Sequence, residues 1–194
     1  MNSRAKILLA LRHAQPGYIP LPQLKRYKQG FTCLKEQFIS ILKSIGSQVY
    51  EAETEIGVID IVKRDFKDAQ RIIGMPTLFD QTIQKMQTGA APHSLSDVDV
   101  AIIKAHLGVA ENGAVWITED ITGERILPFI CQHLAVIINS KDIVACMHDA
   151  YDKIGGVGYG FGVFIAGPSK TADIEQSLVL GAHGPRTMTV FITA

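Results

Sequence analysis

The sequence predicts an α/β layered fold with a largely parallel sheet, preceded by a helical arm. Three observations carry that reading. After Gly46 short apolar runs alternate with helical stretches, as they do where helices cross over between parallel strands. Before Gly46 the apolar residues recur only at helical spacing, and a proline-bearing stretch separates two helical segments. Glycine is uneven: eight of the 17 fall between Gly155 and Gly184, so the unusual backbone lies near the C-terminus. The boundaries drawn from this are a basic arm over 1–46 and an α/β domain over 47–194.

Taken in order, Ile7, Leu8, Leu11 and Ala14 define a first helix that Gln15-Pro16-Gly17 stops. The prolines of YIPLPQ force an extended path. Phe31, Leu34, Phe38, Ile41, Leu42 and Ile45 then form one apolar stripe on a second helix ending at Gly46. That stripe must dock, either on the chain's own domain or on a neighbouring subunit, which would make the arm a route to a homo-oligomer. Strands are expected at Val58–Val62, Val100–Ile103, Ala114–Thr118, Leu134–Asn139, Gly162–Ala166 and Thr187–Thr193. Helices are expected near Phe66–Ile73, Leu78–Met86, Arg125–Cys131 and Asp142–Ile154, the last with Ser140 as its N-cap.

Composition narrows the class. With 47% apolar or aromatic residues the chain is too hydrophobic for disorder, and no apolar run reaches the roughly 18 residues of a membrane span. The formal charge is zero, but through Lys43 the chain has eight basic residues and one acid, Glu36, leaving the remainder acidic by seven charges. Nucleic-acid binding is not favoured, because the arm's phenylalanines belong to its buried stripe and the rest is acidic. Cys33, Cys131 and Cys146 have neither the pairing nor the spacing of a metal or disulfide framework, so they read as reduced thiols. The six histidines include no HxH and no HExxH, and no metal site is expected. The basic N-terminus lacks a cleavage pattern and an h-region, which points to a retained helix in a cytoplasmic protein.

Two segments stand out chemically. In Val109-Ala110-Glu111-Asn112-Gly113-Ala114-Val115-Trp116, Asn-Gly between apolar runs predicts a type I′ hairpin, with Glu111 beside its turn. The tail runs from a buried strand into Gly167-Pro168-Ser169-Lys170-Thr171, then a two-turn helix opened by Asp173 and Glu175 and closed by Gly181, then a second loop from Ala182 to Arg186. Asp173 and Gln176 have capping-box spacing, and Glu175 suits the positive end of a helix dipole. Loops and helix N-termini at strand ends present free N–H groups, which makes Gly167–Thr171 a candidate anion cradle. It is not a phosphate loop of the Walker type, which needs its first glycine in the loop and GK[ST] contiguous. Gly155–Gly160 lacks GxGxxG and precedes a strand, so it is no dinucleotide fingerprint.

GPSKTADIEQSLVLGAHGPRTMTVFI resembles the C-terminal signature of the lactate utilization protein C family, the LUD-domain proteins, whose pattern runs approximately GPS-x-T-x-DIE…G-x-HGP. VAENGAVWI is similar to that family's A-E-T-G-T hairpin, with Asn112 and Ala114 where threonine is usual. The resemblance implies a three-layer, Rossmann-like, mostly parallel sheet of the CoA transferase-like type, shared with glucosamine-phosphate and ribose-phosphate isomerases. It implies an accessory or substrate-handling subunit supporting oxidation of L-lactate to pyruvate. Iron–sulfur clusters would reside in redox partner proteins and no cofactor on this chain.

The alternative is a stand-alone enzyme or binding protein for a CoA thioester or sugar phosphate, because Glu111-Asn112-Gly113 echoes the E-N-G context of the carboxylate nucleophile of family I CoA transferases. The candidate catalytic residues are therefore Glu111, Asp173 and His183. The candidate residues for a small anionic ligand are Gly167, Pro168, Ser169, Thr171, Glu175, Gly184 and Arg186. Each also has a plain structural reading: Glu111 flanks a turn, Asp173 and Glu175 cap a helix, and Ser169 and Thr171 satisfy loop backbone. Arg186 is either an anion clamp or a surface charge.

Overall fold

The structure is a computed structural model that describes residues 2–20, 33–74, 82–85, 89, 91–172 and 177–194. Helix α1 (Ser3–His13) is capped by the Asn2 side chain, which accepts from Ala5 N–H at 2.9 Å, and it buries no residue. Helix α2 (Leu34–Ser44) behaves differently, because its stripe sinks Phe38 and Leu42 to zero exposure. The two helices of the basic segment thus have opposite relations to the core. Phe31 lies outside the described residues.

A six-stranded parallel sheet follows, built from β1 (Gln48–Glu51), β2 (Ile72–Gly74), β3 (Ile83–Lys85), β4 (Val100–Lys104), β7 (His133–Asn139) and β12 (Thr187–Thr193). Its order is β1-β12-β7-β4-β2-β3. Alternation along each strand serves two faces. Val100, Ile102, Ala135, Ile137 and Phe191 pack under helix α3 (Glu55–Asp65), while Ala101, Ile103, Leu134, Val136, Val190 and Ile192 pack against α2 and a second sheet.

That second sheet joins β5 (Leu107–Val109), β6 (Val115–Thr118), β8 (Ile143–Val144) and β9 (Gly162–Ile165) in the order β8-β5-β6-β9. Its outer face is covered by helix α6 (Met147–Ile154), through Ala150 and Ile154 against Leu107, Val109 and Trp116. At Gly108 the second sheet packs tightly on the first sheet and α2, where an added β-carbon would lie 2.7 Å from Ile138 Cδ1 and 2.8 Å from Phe38 Cζ. Short helices α4 (Glu119–Thr122) and α5 (Leu127–Ile130) link β6 to β7.

Several expected elements differ. Val58–Val62 lies inside α3 and is not a strand: Thr54 accepts from Gly57 N–H, and Val58, Ile59 and Val62 bury one helical face despite their β-branching. The helix expected over Phe66–Ile73 is absent; Phe66 ends α3, and the Asp99 carboxylate accepts from Gln70 N–H and Arg71 N–H at 2.7 and 3.0 Å, setting the entry into β2. Of the helix expected over Leu78–Met86, Ile83–Lys85 is the edge strand β3, and 78–81 and 86 lie outside the described residues. Ser140 does not cap α6. Asn139 caps a 3-10 turn over Ser140–Asp142, Ile143–Val144 is β8, and the helix starts only at Met147. In the tail, Val179–Leu180 is strand β11, paired antiparallel with β10 (Lys170–Thr171), where a helix closing at Gly181 was expected.

Candidate functional site

The hairpin forms, though not as a two-residue type I′ turn. Val109 N–H donates to Ala114 O and Gly113 N–H donates back to Val109 O, enclosing a four-residue loop. Asn112 Oδ1 accepts from Ala114 N–H at 3.0 Å, and Gly113 sits at φ +72° against Ile41 and Ile45. Glu111 is exposed, and its Oε2 accepts the Met147 N–H at 3.0 Å, capping the N-terminus of α6.

The tail residues gather around Ser169, which is partly buried. Its N–H donates to Pro185 O at 2.9 Å, its carbonyl accepts from Gly181 N–H, and Gly184 packs on its side chain. Gly167 and Pro168 are buried beside the end of α2, and Thr171 is in β10 opposite Val179. His183 is exposed on the bend. Arg186 N–H donates to Gln132 O, fixing the lead-in to β12 beside the start of β7. The structure therefore brings Gly167, Pro168, Ser169 and Gly184 together at the amino edge of the parallel sheet. It leaves the Glu111 carboxylate on α6. Asp173 and Glu175 lie outside the described residues.

A second constellation occupies the opposite, carboxyl edge, where α/β sheets present ligand sites. A cavity of about 620 Å³ is lined there by residues including His106, Thr118, Asp120, Asp142, Lys153 and Tyr159. His106 directly follows Ala105 at the end of β4, and Thr118 ends β6. His106 Nε2 lies 2.5 Å from Thr118 Oγ1, and the Thr118 hydroxyl also bonds the Asp120 carboxylate. That bond from Thr118 holds the Asp120 carboxyl below the usual carboxylate range. Glu119, on the same wall, is paired with Arg125 at 2.6 Å. Trp116, Ile154 and Val157 supply an apolar side, with Tyr159 edge-on to Trp116 at a centroid distance of 5.2 Å.

None of these cleft residues is among the candidate catalytic or ligand-binding residues read from the sequence. The usable signal was positional, since His106 and Thr118 follow or end predicted strands. Among the described residues no group of three or more His, Cys, Asp or Glu is placed to hold a metal, and no helix is long and apolar enough to cross a membrane. Cys131 and Cys146 are buried, and burial pushes the Cys131 thiol up to about 12.

Comparison with known proteins matches residues 35–193 to the LUD domain family model. The chain belongs to the LUD domain family. Its relatives include the lactate utilization protein C of Oceanobacillus iheyensis, 31% identical over 100 residues, covering 48% of this chain and 43% of that protein. That of Shouchella clausii is 36% identical, over 45% of this chain and 40% of its own length. Against these two the matched part of the chain spans less than half of the relative, whereas the protein of the same name from Bacillus licheniformis matches at 23% identity over 88% of this chain and 82% of its own. The LUD fold is seen also in a crystal structure of a DUF162 family protein from Deinococcus radiodurans, with a TM-score of 0.59 and 13% identity over 83% of this chain and 96% of that one. That LUD match starts at Lys35, just inside α2, consistent with Phe38 and Leu42 belonging to the core.

Proposed function

We propose that this LUD-domain chain serves lactate utilization as a substrate-handling subunit, supporting oxidation of L-lactate to pyruvate together with iron–sulfur redox partners. The observation that carries the reading is the family match over nearly the whole α/β body, with relatives that bear the lactate utilization protein C name. The cleft at the carboxyl edge gives a subunit of that kind a place to hold a small ligand. Docking on an acidic partner is served by α1, whose Arg4, Lys6 and Arg12 are exposed and unaccompanied by any acid.

The test is growth on L-lactate as sole carbon source after deletion of the coding sequence, with complementation by the intact chain. Loss and rescue support the role, and unchanged growth overturns it. Co-purification of iron–sulfur partners at low and high salt addresses docking; a chain lacking residues 1–20 should retain less partner at low salt. Truncation at 46 is not a fair test, because it removes Phe38 and Leu42 from the core. Thermal stabilisation by L-lactate, CoA esters and sugar phosphates separates this reading from a CoA or sugar-phosphate enzyme, since a ligand that binds only the folded state raises apparent stability.

A further inference from the structure

The cleft residues form a one-way hydrogen-bond chain. An ionised carboxylate only accepts, so the Thr118 proton goes to Asp120 and the Thr118 oxygen takes the Nε2 proton of His106. Neutral His106 is thereby held as its Nε2–H tautomer, with Nδ1 kept as an acceptor. The backbone is held too: His106 N–H donates to Trp116 O at 2.9 Å, and Thr118 is buried to 4% exposure. Lys153 lines the same cavity and has no ion-pair partner among the described residues.

We propose that this cleft binds 2-hydroxy monocarboxylic acids whose side chain is larger than a methyl group, the ligand hydroxyl donating to His106 Nδ1 and its carboxylate resting on Lys153. The acid class rests on the lactate reading above; the preference for a longer side chain comes from the cavity. Among the described residues, Lys153 is the one lysine or arginine on a lining that also carries Glu119, Asp120 and Asp142, so it can meet a single carboxylate and no more. Asp120 and Asp142 on the lining repel polyanions, which disfavours CoA esters and sugar phosphates. A volume of about 620 Å³ far exceeds a three-carbon acid, and Trp116, Ile154 and Val157 line it with apolar surface that rewards each added methylene.

The experiment is calorimetric titration of the full chain with L-lactate, L-2-hydroxy-4-methylpentanoate, L-3-phenyllactate, the hydroxyl-free 4-methylpentanoate, and coenzyme A. Affinity should rise on the order of fourfold per buried methylene. Loss of the hydroxyl should cost roughly tenfold, because the acceptor is then left unpaired. Coenzyme A should bind more weakly than any hydroxy acid. Lys153→Gln should abolish binding and Lys153→Arg restore it. Thr118→Val should weaken binding and release the His106 tautomer, seen in its ¹⁵N shifts, with the circular dichroism spectrum confirming the fold.

Equal affinity along the series, equal affinity for the hydroxyl-free acid, or a His106→Ala variant that binds as well as the parent overturns the proposal. Failure of the lactate reading is separable. A deletion strain that grows normally on L-lactate removes that reading while the affinity order still decides the site, and loss of growth without acid binding keeps the reading and sinks the site.

Discussion

At the amino edge of the parallel sheet backbone groups of the tail pair with one another, whereas at the carboxyl edge polar side chains line an open cavity. Ser169, Pro185, Gly181, Arg186 and Gln132 exchange backbone hydrogen bonds, and Glu111 is bound to α6. At the other edge Asp120 and His106 keep their outer faces exposed, and Lys153 is unpaired among the described residues. The longest recognisable motif therefore sits where the backbone is locked, and the cavity of about 620 Å³ lies where the sequence shows no motif. Substitutions at the two edges should separate accordingly, with stability lost at the first and ligand binding at the second.

The largest effect is expected at Gly167. It sits at φ +78°, and an added β-carbon would come within 2.9 Å of the Ile45 carbonyl oxygen, which is backbone and cannot swing away. Gly167→Ala should lower unfolding free energy by roughly 2–4 kcal/mol, combining left-handed strain with overpacking. Urea denaturation measures it. A change under about 0.5 kcal/mol would mean that the amino edge is not locked in the way its hydrogen bonds indicate.

Glu111 comes next. Glu111→Ala removes the carboxylate from the Met147 N–H and should cost about 1 kcal/mol, while Glu111→Gln, which keeps an acceptor, should cost less than half of that. A nucleophile behaves otherwise. If Glu111 forms an acyl intermediate, the glutamine variant should lose group-transfer activity with little loss of stability, so urea denaturation and a CoA-exchange assay on the same variant distinguish the roles.

These contrasts also explain what could be read in advance. β4, β7 and β12 were legible because strands buried on both faces leave continuous apolar runs, and the hairpin was legible from Asn112-Gly113. β2 and β3 have three residues each, too few for any periodicity. Val58–Val62 misled because β-branched residues favour strands, although Thr54 and the spacing of Val58, Ile59 and Val62 already described a capped helix. The cleft was within reach but indirect. The hairpin register Leu107↔Trp116 puts His106 opposite the end of β6, so folding the predicted hairpin brings it to Thr118. What no local pattern contains is the antiparallel pairing of β10 with β11.

A smaller effect is expected from pH at the amino edge. His133 donates to or accepts from Thr187 Oγ1 at 2.8 Å and packs on the Phe66 ring; burial lowers its pKa, nearby Arg186 lowers it further, and Asp99 opposes them. A histidine whose folded pKa is depressed is protonated first in the unfolded chain. Stability should therefore be constant above the ordinary value of 6.5 and decline as pH falls through it, until the folded form also takes the proton. His133→Asn keeps a partner for Thr187 without titrating, and it should flatten the melting-temperature profile between about pH 7.5 and pH 5.5. Arg186→Gln should flatten it in part. A His133→Asn profile parallel to the parent's would place the titrating group elsewhere.

The smallest stability change belongs at the carboxyl edge, at Asp120. Its side chain is 70% exposed, so Asp120→Ala should shift unfolding free energy by no more than about 0.5 kcal/mol, the usual range for exposed polar contacts. The electronic consequence is larger than the energetic one. Without a carboxylate to receive its proton, the Thr118 hydroxyl is free to donate to His106 or to accept from it, and both neutral tautomers of His106 become populated. The ¹⁵N spectrum of His106 should change from one dominant tautomer to a mixture while the urea midpoint stays nearly fixed. A large loss of stability without any tautomer change would make Asp120 part of a locked edge like the one around Ser169, and the distinction between the two ends of the sheet would then fail.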